Sequence, residues 1–269
     1  MTATPIVSML WEPVDPTVAL TERFGFADAI SAAAWMGQAL WDGWAIAINN
    51  CDRLVISNLN LLAWVRIDDR RLIARLSVSP SQFQRLADTA RLRMWLQAGG
   101  IPVAAPIPAS DGRLQVELDN VSLALCPVIE GDLLDVGDPA QVTEAGRMLA
   151  ALHETLAAYP HRVDGGRPTG REQLVHNDFR SANILYGGAR ITAVLDFESV
   201  TYRTRVADLA QATVLLGTRY HDWGPTSEVV REAFVTAYAD QAPLTSTEQN
   251  ELRRNVAGVL AHFGWSTAS

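Results

Sequence analysis

Cysteine is scarce in this chain: Cys51 and Cys126 are the only two in 269 residues, and they lie far apart. That spacing suggests neither a disulfide framework nor a cysteine metal cluster, and makes a reducing compartment, the cytoplasm, the expected home. Long apolar runs are also missing. The most apolar stretch, residues 29–48, is interrupted by Gly37, Gln38, Asp42 and Gly43 and reads as buried structure, not as a membrane span. Residues 1–16 lack a basic start followed by an apolar run and do not read as a signal peptide. Positive charge is in deficit. A formal net charge of −8 argues against a nucleic-acid or anionic-membrane partner and is compatible with a cationic small molecule. Repeats and low-complexity tracts are absent.

With 48% hydrophobic and 19% charged residues, the chain can bury a sizeable core, as one large domain or two intimate lobes. After a proline-rich start, residues 15–41 read as helical, with Trp35, Leu40 and Trp41 available for packing. Strand signals follow at 53–57, 61–67 and 71–78, the last two joined by a turn at Asp68-Asp69-Arg70. Residues 81–97 read as a helix stopped by Gly99-Gly100. The clean alternation of 113–118 and the apolar run 121–126 predict two more strands about a turn at Asp119-Asn120. The first half is therefore expected to be an antiparallel sheet of about five strands with one inserted helix.

The pattern then changes. Residues 138–159 predict a long helix with Met148, Leu149, Leu152 and Leu156 on one stripe. Two short apolar segments, 183–186 and 191–195, flank Gly187-Gly188 as a small hairpin, and helices dominate from Val206 onward. A sheet-rich lobe is expected to meet a helical one at a hinge near residues 127–131.

Chemistry concentrates in His176-Asn177-Asp178-Phe179-Arg180-Ser181-Ala182-Asn183, with Asp196-Phe197-Glu198 opening just past the strand at 191–195. The pattern H-x-D-x-x-x-x-N, an apolar hairpin, then D-F, resembles the catalytic loop and metal-binding segment of the protein-kinase-like superfamily. The likeness is greatest to the aminoglycoside phosphotransferase, choline kinase and homoserine-kinase-like group, whose metal segment reads D-[FW]-E more often than D-F-G. The resemblance implies an α+β, bilobal fold. Residues 1–126 would form a nucleotide-binding lobe with an extra N-terminal helical segment, and residues 127–269 a mostly helical lobe for catalysis and acceptor binding.

It also implies an ATP- and Mg²⁺-dependent transfer to a hydroxyl group. Such a reaction needs a carboxylate to orient the hydroxyl and take its proton, and oxygen ligands to hold Mg²⁺ on the phosphates. Asp178 fits the first role, and Asn183 and Asp196 the second. Arg180 would stabilise charge on the transferred group. His176 and His153 are expected to be structural. Asp208 is either the buried brace of the catalytic loop or a helix N-cap.

The nucleotide lobe resembles the family more loosely. Ser57-Asn58-Leu59-Asn60, at the place of the phosphate-covering loop, contains no glycine, so Ser57 and Asn58 are the candidate contacts there. Arg75 stands where the family carries a phosphate-anchoring lysine, with Asp88 near the usual partner's place; a guanidinium can fork onto phosphate oxygens. Cys126 C=O and Val128 N–H are the candidate adenine contacts, around a Pro127 that cannot donate. The acceptor, a small molecule bearing a hydroxyl, is expected to be met by Glu198, Arg203, Arg205, Tyr220, His221, Asp222 and Trp223. The competing reading is a non-catalytic pseudokinase that binds nucleotide or a protein partner, motivated by Arg75 and opposed by Asp178, Asn183 and Asp196. A protein kinase is disfavoured, because no long activation segment separates Asp196 from the next helices.

Overall fold

The computed structural model describes residues 4–118 and 120–266. The chain divides into two units. One takes the chain up to Arg91 together with Ala105–Val128; the other takes Leu92–Ala104 and the chain from Ile129 onward. A single cut at residue 126 therefore does not describe it, because Leu92–Ala104 groups with the second unit.

The first unit is built on a six-stranded sheet. Its strands are β1 (Ile6–Met9), β2 (Asn50–Ile56), β3 (Asn60–Ile67), β4 (Arg70–Ser77), β5 (Val116–Leu118) and β6 (Val121–Pro127), in the order β1-β2-β3-β4-β6-β5. Pairing is antiparallel except that β1 runs parallel to β2. Two helices precede β2, α1 (Pro16–Phe24) and α2 (Ala29–Trp44). They replace the single helix expected over 15–41. Gly25 takes φ 72° and closes α1, and the Asp28 carboxylate accepts the Ser31 N–H at 2.7 Å to start α2. Along α2, Ala32, Met36, Leu40 and Trp44 recur at helical spacing and join Leu54, Ile56, Leu61, Ala63 and Leu76 of the sheet in one core. On β3, Leu61, Ala63, Val65 and Ile67 point inward by strict alternation.

Two expectations in this unit change. The strand over 113–118 shortens to Val116–Leu118, because Asp111 captures both the N–H and the Nε of Arg113. β1 went unread: four residues among prolines carry no alternation, and Ile6 is 72% exposed. The turn at Asp119-Asn120 lies partly outside the described residues; Asn120 has φ 68°.

Helix α3 (Phe83–Ala98) ends in the second unit. That unit carries α4 (Pro139–Ala157), α5 (Arg205–Leu215), α6 (Glu228–Gln241) and α7 (Ser246–His262). The unit also carries two small sheets. One orders β10-β9-β7, where β7 is Asp132–Leu133, β9 Ile184–Gly187 and β10 Arg190–Val194. The other pairs β8 (Gln173–Val175) with β11 (Thr201–Arg203). The hairpin of β9 and β10 matches the expected one. No helix among the described residues is long and apolar enough to cross a membrane.

Asp138 caps α4 by accepting the Ala140 N–H at 2.9 Å, with Pro139 at the first turn. The buried stripe of α4 includes Gly146, where α6 comes so close that a Cβ would sit 2.4 Å from the Phe234 carbonyl oxygen and 2.9 Å from Ala237 Cβ. Backbone cannot yield as a side-chain tip can. Gly146→Ala is therefore expected to force α4 and α6 apart and cost about 1–3 kcal/mol. Thermal unfolding should show a midpoint lower by at least about 2 °C; an unchanged midpoint would contradict the close approach.

Candidate functional site

The loop between β8 and β9 is set by hydrogen bonds on both ring nitrogens of one histidine. His176, fully buried, places Nε2 at 2.9 Å from Leu195 O and Nδ1 at 3.2 Å from the Asp178 N–H. A carbonyl only accepts and an N–H only donates, so Nε2 carries the proton and the ring is neutral. Phe179 and Phe197 pack edge-on against it, Phe197 at 4.8 Å between centroids. His176 thus ties the loop to the end of β10.

Two residues of this region hold positive φ without being glycine: Asn177 at 64° and Asp196 at 56°. Such conformations persist where the surroundings over-determine them, and Asn177 is gripped on three sides. Its N–H donates to Asp208 Oδ1 at 2.9 Å, its side-chain oxygen accepts from Arg203 Nη1 at 2.5 Å, and its carbonyl accepts from Gln211 Nε2 at 2.6 Å. Gln211 closes the triangle by accepting from Arg203 at 2.9 Å.

Asp208 is 1% exposed and serves as the brace; the N-cap of α5 is Thr204. Burial pushes the Asp208 carboxyl up. The hydrogen bond and charge of His153 and the Asn177 N–H together outweigh burial and hold it below the usual carboxylate range. His153 bridges Asp208 Oδ2 and the Tyr238 hydroxyl, both at 2.9 Å. Burial, first of all, pushes the Tyr238 phenol up to about 12, and Arg205 hydrogen-bonds to it. Arg205 then forks onto Glu248 of α7 at 2.8 and 3.0 Å. Arg205, read from sequence as an acceptor contact, is therefore the last cationic link of a brace running from Asn177 to α7.

This scaffold aims Asp178. Its Oδ1 accepts from Arg180 Nε and its Oδ2 from Asn183 Nδ2, each at 2.7 Å. Arg180 lies 5.2 Å from the Trp223 ring, and its Nη1 is buried with no hydrogen-bond partner among the described residues. Asn183 is 5% exposed and spends its amide N–H on Asp178, so its side-chain oxygen is turned elsewhere. The Leu195 N–H bonds Asn183 O at 2.8 Å, which brings the start of Asp196 beside Asn183. Asp196 is exposed and caps the following turn. Among the described residues no group of three or more His, Cys, Asp or Glu could hold a metal alone. An amide oxygen and one carboxylate instead suit Mg²⁺, which keeps waters and takes phosphate oxygens alongside one or two protein ligands.

Asp178 also lines a cavity of about 490 Å³ within the second unit, walled by α5, α7 and Trp223. Of the expected acceptor contacts, Arg203 and Trp223 line it; Glu198, Tyr220, His221 and Asp222 do not. Tyr220 lies near enough to Arg180, Asp196 and Asp178 to feel their charges, although burial is what chiefly raises its phenol. Sequence reasoning missed the α7 wall, where Arg254, Gly258 and His262 recur every fourth residue.

In the first unit, Ser57 turns its N–H and hydroxyl onto Asn60 O at 2.9 and 3.3 Å, while Asn58 is exposed at the loop. Arg75 reaches Asn60 Oδ1 at 3.2 Å. Buried Asp88 accepts from Gln84 at 2.8 Å and from Arg91. The chain has no lysine at all, so all 22 of its basic side chains are arginines and Arg75 follows a rule of the whole sequence. The Val128 N–H already donates to Arg71 O at 3.1 Å. By antiparallel alternation Cys126, opposite Ile73, then also turns its backbone into the ladder. The expected adenine pair is therefore engaged inside the sheet.

The sequence matches the phosphotransferase enzyme family over residues 56–172 and 157–249. It is 23% identical over 202 residues to the homoserine kinase of Neisseria meningitidis serogroup B, covering 59% of this chain and 63% of that protein. The chain thus spans less than two thirds of that relative's length. A spectinomycin phosphotransferase solved with ADP and spectinomycin is similar in structure at a TM-score of 0.63 and 14% identity, covering 86% of this chain and 87% of that one. The microcompartment-associated aminopropanol kinase gives 0.63 at 18% identity, with 88% and 90% covered. A macrolide 2'-phosphotransferase from Brachybacterium faecium gives 0.59 at 19% identity, with 86% and 90% covered. These likenesses show the fold, an N-terminal sheet followed by a helical C-terminal region of protein-kinase-like type.

The brace carries a pH signature. The Arg205 hydrogen bond, above all, draws the Glu248 carboxyl from its ordinary 4.5 down to about 2. A depressed carboxyl contributes its stability in full above the ordinary value and loses it as pH falls through that value toward the depressed one. Urea midpoints taken from about pH 5 down to pH 2 are expected to fall less steeply in Glu248→Gln than in the unaltered chain. Parallel slopes would show that the pair contributes nothing.

Proposed function

Because this chain belongs to the phosphotransferase enzyme family, we propose that it transfers the γ-phosphoryl group of ATP to a hydroxyl of a small molecule held in the Asp178 cavity. One observation carries the reading: beside the cavity-lining carboxylate of Asp178, Arg180 Nη1 is a buried cationic donor with no hydrogen-bond partner among the described residues. A buried unpaired donor costs about 1–3 kcal/mol. A phosphoryl oxygen at that place removes the cost.

The residues divide the work as follows. Each oxygen of Asp178 spends one lone pair on Arg180 or Asn183 and keeps another for the acceptor. Asp178 orients the acceptor hydroxyl and takes its proton as the new O–P bond forms. The bond between the γ-phosphorus and its bridging oxygen breaks, and ADP leaves with the electron pair. Arg180 Nη1 donates to the transferred group, where negative charge is spread in the transition state. Asn183 Oδ1 and the Asp196 carboxylate would hold Mg²⁺, which supplies positive charge against the phosphates. Arg75 is the proposed anchor for the other phosphates, and Asn58 the exposed contact of the covering loop. For adenine, the Pro127 C=O, which faces away from the ladder once Val128 is committed to Arg71, is the proposed contact.

Two outcomes test this reading. Asp178→Asn is nearly isosteric but cannot take the proton, so turnover is expected to fall by about 10²–10⁴-fold while calorimetry still registers Mg-ATP binding. Near-normal turnover would remove Asp178 from the base role. Gly258 tests the cavity: a Cβ there would meet nothing within 4 Å, so Gly258→Leu fills the space without displacing backbone. It should raise the acceptor KM by about tenfold or more and leave the KM for ATP alone. An unmoved acceptor KM would place the acceptor outside this cavity.

A further inference from the structure

The charge lining the cavity runs against the charge of the chain. The protein carries −8 overall, yet among the described residues Asp178 is the only carboxylate on the cavity wall, against the guanidiniums of Arg203 and Arg254. That one carboxylate is already compensated, by Arg180 at 2.7 Å. Arg203 is partly occupied, since one of its nitrogens serves Asn177 and Gln211. Arg254 differs. It makes no hydrogen bond or ion pair among the described residues, whereas its neighbour Arg253 bonds Asn250 Oδ1 at 3.0 Å. The nearby acidic residues of α7 are taken: Glu248 is on Arg205, and Glu251 is on Arg171 at 2.9 Å.

Spacing makes the lining one surface. Arg254 and Gly258 lie one turn apart on α7, and Ala207 and Gln211 lie one turn apart on α5, which packs against α7. Ala207 and Gly258 leave the room; Gln211, Asn255 and Arg254 supply polar groups around it.

Resting on the reading of this cavity as the acceptor site, we propose that the acceptor is a hydroxy acid, whose carboxylate is held by Arg254 and whose hydroxyl meets Asp178. A polyamine acceptor would bring several positive charges to a wall that offers two guanidiniums and one compensated carboxylate. A carboxylate instead gives Arg254 the bidentate partner that its fork geometry suits. The acidity of the whole chain, compatible from composition with a cationic acceptor, is not the local charge at the cavity.

Matched pairs that differ by a carboxylate test the proposal: homoserine against aminopropanol, and hydroxybutyrate against propanol, with kanamycin as a polycation. Transfer from labelled ATP and calorimetric binding are both read, in the unaltered chain, in Arg254→Gln and in Arg253→Gln. The carboxylate-bearing member of a pair is expected to be preferred by about tenfold or more, the scale of a charge-assisted pair. Arg254→Gln should erase that preference and Arg253→Gln should keep it. A preference for aminopropanol or kanamycin, a preference that survives Arg254→Gln, or no binding of either hydroxy acid while Mg-ATP binds would overturn the hydroxy-acid proposal and leave the kinase reading standing. Failure to bind Mg-ATP or to transfer phosphate to anything would sink the kinase reading itself, and this proposal with it.

Discussion

A single buried carboxylate, Asp208, is the constraint from which the site hangs. A charge at 1% exposure is tolerable only where its oxygens are used, and both are: one takes the Asn177 N–H, the other His153. The first bond holds Asn177 at positive φ, and that backbone reversal directs Asp178 toward Arg180 and Asn183. The second bond passes through His153 to Tyr238, Arg205 and Glu248. Asp178 and the α7 wall of the cavity therefore share one hydrogen-bonded frame, although they lie some seventy residues apart in the chain. Arg203 is common to both, since it grips Asn177 and lines the cavity.

The room in that cavity has a different origin. It comes from side chains that are missing, Ala207 on α5 and Gly258 on α7. Gly146 plays the reverse part between α4 and α6, where the missing side chain lets backbones touch. The same residue type thus closes one helix interface and opens another, and only the partner surface tells the two apart.

That distinction explains which parts were legible in the sequence. The Asp178 loop, the β9–β10 hairpin and α4 announce themselves through short-range pattern: fixed spacing, a glycine turn, a capped apolar stripe. Strands β7, β8 and β11 have two or three residues each, too few for any alternation to show. The Gly25 stop and the Asp28 capping box were present in the sequence but were overridden by the helical character on either side. Arg205 offered a charge near the site, and only the fold shows that charge turned to Glu248. Val128 depended on strand register: a one-residue difference decides whether an N–H faces the sheet or away from it, and no local signal fixes it. Arg254 lies far beyond the last motif and becomes visible only once α7 is laid against α5.

The lysine-free composition gives the Arg75–Asn60 contact a consequence beyond geometry. An ammonium at that strand position would titrate with an ordinary pKa near 10.4, lower when buried, and could react as an amine whenever it lost its proton. A guanidinium keeps its charge over the whole range in which a protein stays folded. The cationic side chains of this chain therefore present a field that alkali does not weaken. They also offer no side-chain amine for acetylation or Schiff-base formation, so reagents that mark nucleotide sites by acylating a lysine have no such target here.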